Sequence, residues 1–220
     1  MYHTAMADGI SAAIDELLLT GSVPPVRAVE TLVAVGAPAV SPLVQLLEDI
    51  DPDDDDWSPL WAATALGELR SAAAGPALLR LLALPEGDVL AEAAVEALAK
   101  IGVPALPALL PFTRNAREWE TRHYGYTAIG LIPSDESLRF LIGALDADAM
   151  LWSSIAMALG ELGDRRALPA LAALVARGDA REAPAVKESI AILEGRQPPY
   201  PSPLAEPWDE KFRGIAAEAG

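Results

Sequence analysis

Six apolar positions at nearly equal intervals constrain this chain more than any other feature. They are Leu32, Leu66, Leu98, Ile129, Leu159 and Ile190, with steps of 34, 32, 31, 30 and 31 residues. The clearest unit around one of them is Trp152–Val175, WSSIAMALGELGDRRALPALAALV. It reads as a helix, a tight turn at Gly163-Asp164 and a second helix. Gly takes a positive φ after a helix, and Asp caps the next one. Leu168, Leu171, Leu174 and Val175 fall on one face of the second helix. Two such helices cover each other but leave an outer apolar face open, so the unit is stable only where copies of it stack.

The copies run through most of the chain. Residues 1–22 hold a first helix, roughly Ala5–Leu19, with Ile10, Ile14, Leu17 and Leu18 as its apolar stripe. It lacks the repeat signature and is expected to cap the array. Residues 23–195 carry five helix-turn-helix repeats and a partial sixth, AVKESIAILEG. Their turns lie at Gly36-Ala37-Pro38, Ser71, Gly102-Val103-Pro104, Pro133-Ser134 and Gly163-Asp164. Residues 196–220 form a proline-rich tail, with a possible short helix after Pro207 and Tyr200, Trp208 and Phe212 as anchors. The expectation is an all-α, right-handed solenoid whose second helices line a concave face. Leu43, Leu78, Leu109, Leu141 and Leu171 are its expected core stripe.

The run ALGELGDRRALPALAALV resembles the short HEAT-like repeat of the phycobilisome-lyase type. Its marks are Ala-Leu-Gly closing the first helix, Gly-Asp at the turn and Ala-Leu-Pro-Ala-Leu opening the second. The resemblance covers about residues 24–195. Repeat two departs from it with Arg70 where the turn glycine belongs, and repeat four has Pro133 there. It implies the fold directly and function only loosely.

Composition agrees with helices and narrows the chemistry. Hydrophobic residues make up 52% of the chain but aromatics only 5%, with alanine and leucine prominent. There is no cysteine, which excludes disulfides, thiolate zinc sites and cysteine nucleophiles. Net charge is −16, a sign that repels nucleic acid and anionic membrane and suits a basic protein partner. No signal-peptide pattern opens the sequence, and every apolar run is broken well before the ~18 residues a membrane span needs. A cytoplasmic location is the expectation.

Catalytic and metal chemistry find little support. Of two histidines, His123 has Glu120 three residues before it, but this Glu-x-x-His pair occurs once, where carboxylate-bridged metal sites use it twice with further carboxylates. No His-Glu dipeptide, phosphate-cradling glycine loop or motif-placed nucleophile is present. The acidic run at residues 51–56 lacks the glycine and closing glutamate of a calcium loop. No cofactor and no metal are expected.

Partner binding is the remaining class. Loops leading from one repeat to the next share one edge of a solenoid, and here they are mostly acidic. They carry Asp53, Asp54, Asp55 and Asp56 in one loop and Asp146 and Asp148 in another. Arg122, with Arg114 and Arg117, marks the loop that is the exception. Trp57, Trp61, Trp119, Tyr124 and Trp152 lie at the openings of first helices. Trp61 and Tyr124 hold one repeat position that is Ala93 or Ser154 elsewhere. Either these rings fill gaps between unequal repeats, or they build an aromatic and acidic binding edge.

The expected function is therefore a non-catalytic protein-binding module, a scaffold, adaptor or inhibitor whose partner presents basic surface. The resemblance implies one alternative, a bilin lyase or pigment-handling protein, for which no site residue carries over. A HEAT-like DNA glycosylase is a more remote alternative, opposed by the net charge.

Overall fold

The computed structural model describes residues 2–50, 56–84, 88–176, 184–205 and 208, with only the backbone for residues 2–6 and 88. Among these the chain is all-helical, with twelve α-helices joined by turns and no strand. The architecture is that of an α-solenoid of HEAT-like helix pairs. The chain divides into two compact units, one running to Ile101 and one spanning Gly102–Ser202, with the described residues from Pro203 grouped with the first.

In the first unit, α1 (Tyr2–Leu19) packs on α2 (Val26–Val35), α2 on α4 (Ser58–Glu68), and α4 on α6 (Asp88–Ile101). These are the capping helix and the first helices of three repeats. The second helices, α3 (Val40–Glu48) and α5 (Gly75–Leu81), lie against each other and against the first helix that follows each. The capping helix starts at Tyr2 rather than Ala5, because no breaker precedes Ala5. Ile10 and Leu17 of its stripe are buried, whereas Leu18 is 54% exposed.

The second unit repeats the arrangement. Its first helices are α8 (Trp119–Gly130), α10 (Trp152–Leu162) and α12 (Pro184–Leu193), stacked in that order. Its second helices are α7 (Leu106–Asn115), α9 (Asp135–Ala147) and α11 (Leu168–Ala176). The unit boundary falls inside repeat three, between α6 and α7.

The turns follow their residues. Gly36, Gly102 and Gly163 have φ of 78°, 76° and 71°. Asp164 accepts a hydrogen bond from the Arg166 backbone N–H at 2.9 Å, the cap expected of it. Arg70 takes the glycine conformation with φ 49°, the one non-glycine residue with positive φ among those described. Repeat four turns differently. Pro133 fits no left-handed turn, and Ser134 at φ −162° instead caps α9 by accepting from the Ser137 N–H at 3.0 Å. Asp135 and Glu136 in the first turn of α9 suit the positive end of its dipole.

The core is the expected one. Leu43, Leu78, Leu109, Leu141 and Leu171 are fully buried, as are Leu32, Leu66, Leu98, Ile129 and Leu159. Ile190, in the last described helix of the series, stays partly exposed. First helices approach closely where a residue is small. A Cβ on Gly67 would lie 2.8 Å from Ala97 Cα, and one on Gly130 would lie 2.7 Å from Ala158 Cα. Ion pairs one period apart add to the stacking, with Lys100 to Glu68 at 2.6 Å and Arg166 to Asp135 at 2.6 Å. Tyr200 closes the last helix pair by lying against Gly160 and within 3.5 Å of the Ser189 hydroxyl. Trp208 is half-buried, and Phe212 lies outside the described residues.

Candidate functional site

The aromatic residues at the helix openings separate into two groups, one in each unit. In the first unit, Trp57 precedes α4 and Trp61 lies one turn into it. They share a cleft of about 300 Å³ with Leu60, Val89, Glu92 and Ala93. The Trp61 ring is buried at 2% exposure, and its indole N–H points to the Gly21 carbonyl at 3.4 Å. Trp57 is half-buried, and Val89 is 52% exposed. Ala93 holds in α6 the repeat position that Trp61 holds in α4. The small residue leaves room beside the large ring, and that room is the cleft. Glu92 and Glu96 line it, giving an apolar floor with an acidic border.

Asp56 stands just before this group. Its carboxylate accepts from the Ser58 N–H at 2.8 Å and from the Ser58 hydroxyl at 2.7 Å, which ties down the start of α4. Asp53, Asp54 and Asp55 lie outside the described residues.

In the second unit, Trp119 opens α8 and is 50% exposed. Tyr124 is half-buried with its ring 5.3 Å from that of His123. Trp152 opens α10 and donates its indole N–H to the Leu145 carbonyl at 2.6 Å. Asp146 is exposed. Arg122 and Asp148, expected at the edge of the solenoid, are instead brought together. The Arg122 Nε donates to Asp148 Oδ2 at 2.6 Å, with side chains 16% and 13% exposed. The Arg122 Nη1 also donates to the carbonyls of Ala116 at 3.2 Å and Arg117 at 2.8 Å. The Tyr126 hydroxyl donates to the same Asp148 oxygen at 3.1 Å. Burial, and then the Asp148 charge, push the Tyr126 phenol well above its usual pKa. The triad joins the loop after α7, α8 and the end of α9.

His123 is half-buried on α8, with Nδ1 2.8 Å from the Ser154 hydroxyl on α10. Burial lowers its pKa from the usual 6.5. Its partner is thus a hydroxyl on the next repeat. Among the described residues no three His, Asp or Glu side chains are grouped as metal ligands would be. No single described helix is long and apolar enough to cross a membrane.

Arg139 and Phe140 on α9 are candidate-site residues that the sequence alone does not point to. They line a cleft of about 470 Å³ with Arg114, Arg122, Tyr126 and Asp148. No motif marks them; only the placement of α9 beside α7 and α8 brings them to the others.

Two family comparisons agree with this architecture. Residues 106–191 match HEAT repeats, and residues 59–83 match the PBS lyase HEAT-like repeat. No curated protein matches the chain.

Proposed function

We propose that this chain of HEAT repeats acts as a non-catalytic protein-binding scaffold, and that the cleft between Trp57 and Val89 is a principal contact for its partner. HEAT repeats make a repeat-based helical scaffold, and proteins built from them commonly bind other proteins. The observation that carries the finer reading is the cleft itself. An accessible tryptophan and an exposed valine frame an apolar floor, and Glu92 and Glu96 border it. Such a cleft suits a segment with one large apolar anchor flanked by Lys or Arg. The net charge of −16 draws a basic partner toward it at long range.

Affinity capture with the wild-type chain beside Trp57→Ala and Glu92→Lys tests this, with bound proteins quantified and thermal unfolding recorded for each variant. A partner lost from both variants at unchanged melting temperature, and released by raised salt, supports the reading. A partner set identical across all three chains would overturn it. The match to the PBS lyase HEAT-like repeat favours a second reading, a pigment-handling protein. A shift in visible absorbance on mixing with a bilin would support that instead.

A further inference from the structure

The second unit holds a cleft whose charge runs against the chain as a whole. Three of the 16 basic residues line it, Arg114, Arg122 and Arg139, against a single carboxylate, Asp148. That carboxylate is already matched by Arg122 at 2.6 Å and by the Tyr126 hydroxyl at 3.1 Å. Arg114 and Arg139 are exposed, and neither has an ion-pair partner among the described residues. The Arg114 guanidinium lies 5.2 Å from the centre of the Phe140 ring, a cation–π contact that holds the side chain over the cleft. Gly143, Ala144 and Ala147 present small residues along α9 and leave the space open. What sets these two apart is that they line one cleft together, on α7 and α9, with no free carboxylate in its lining.

We propose that this cleft binds a phosphate monoester. Two unpaired guanidiniums match a dianion, whereas a carboxylate matches only one of them. The Arg122–Asp148–Tyr126 triad forms the neutral wall of the cleft beside the two exposed arginines. The volume of about 470 Å³ admits a small organic phosphate or one phosphorylated side chain and its neighbours. The surrounding negative field disfavours a polyanion such as nucleic acid. Phe140 and the small residues of α9 supply an apolar surface for the body that carries the phosphate. The proposal is independent of the tryptophan cleft in the first unit.

Titration calorimetry of the full chain with phenyl phosphate tests it, with inorganic phosphate and benzoate as further probes. Saturable binding of phenyl phosphate is expected, weakened at least tenfold in Arg114→Gln and in Arg139→Gln and unchanged in Arg27→Gln. Because Arg114 and Arg139 are exposed, the variants are expected to unfold at the wild-type temperature. Inorganic phosphate competing with phenyl phosphate would support recognition of the phosphate itself. A phosphotyrosine peptide binding more tightly than phenyl phosphate would identify the source as a modified protein, and weaker binding of the peptide would identify a small organic phosphate. Absence of binding, equal affinity in all variants, or benzoate binding as tightly as phenyl phosphate would overturn the proposal.

Discussion

Gly130 of α8 faces the backbone of Ala158 in α10 so closely that a Cβ there would lie 2.7 Å from both the Cα and the carbonyl oxygen of Ala158. Backbone atoms cannot swing aside as a side chain does. Gly130→Ala must therefore part the two helices or distort them, at a cost of ~2–3 kcal/mol. Gly67→Ala meets Ala97 Cα at 2.8 Å and is expected to behave alike. Gly160→Ala meets only side-chain atoms at longer range, the Ser189 hydroxyl at 3.0 Å, the Tyr200 ring at 3.1 Å and the Ser189 Cβ at 3.2 Å. A shift of a few tenths of an ångström suffices, so its cost is expected to be smaller, ~1 kcal/mol. Nothing lies within 4 Å of a Cβ on Gly143, and Gly143→Ala should stabilise α9 by ~0.5–1 kcal/mol. Urea unfolding midpoints check the order. Equal midpoints for Gly130→Ala and Gly143→Ala would refute the close approach.

Arg70 carries a conformation meant for glycine. Its φ of 49° stands beside values of 71–78° at Gly36, Gly102, Gly163 and Gly195. An L side chain pays ~1–2 kcal/mol for that region, and glycine returns part of the gain as lost chain entropy. Arg70→Gly is expected to raise stability by ~0.5–1 kcal/mol, read as a higher unfolding midpoint. A destabilised variant would mean that the Arg70 side chain makes a contact worth more than the backbone strain.

The repeat was legible because it is local. Period, turn residues and the Leu43–Leu171 stripe all follow from spacings within about forty residues, and even the anomaly at Arg70 could be seen as a missing glycine. The site features were not legible in that way. Arg122 and Asp148 read as separate edge charges, because a pair 26 residues apart is set by how α8 meets the end of α9. Arg114 and Arg139 belong to no motif and share a cleft only through packing of three helices. Trp57 and Trp61 were visible as odd rings at the start of a helix. The other wall of their cleft, at Val89, Glu92 and Ala93, depends on the following repeat having a small residue where α4 has Trp61.

The Arg122–Asp148 pair should carry real stability, unlike the exposed pairs on the surface. Asp148→Ala leaves a largely buried guanidinium with only backbone partners and removes the acceptor of the Tyr126 hydroxyl. A loss of ~2–4 kcal/mol is expected. Asp148→Asn keeps an acceptor in place and should cost less, and Tyr126→Phe about 1 kcal/mol. Chemical denaturation of the three variants reads this order directly. A negligible effect of Asp148→Ala would show that solvent replaces the carboxylate and that the triad is not a fixed wall.

His123 makes stability depend on pH in a direction that its surroundings determine. Burial between α8 and α10 holds its pKa below 6.5, so the folded protein keeps the ring neutral at pH values where the unfolded chain has already protonated it. Between the folded value and 6.5 the unfolded state binds more protons, and stability therefore rises with pH across that window. Starting from neutral pH, this contribution is fully present above about 6.5, declines as the pH falls below it, and levels off once the folded histidine also titrates. Glu161, whose pKa burial raises, opposes this trend at the lower end, because its neutral form is the favoured one in the folded state. The histidine part is isolated by comparing the wild type with His123→Gln over the same pH series. The wild type is expected to lose more stability than the variant between about pH 7 and pH 5.5. Parallel curves would show that the 2.8 Å contact with Ser154 accommodates the charged ring as readily as the neutral one.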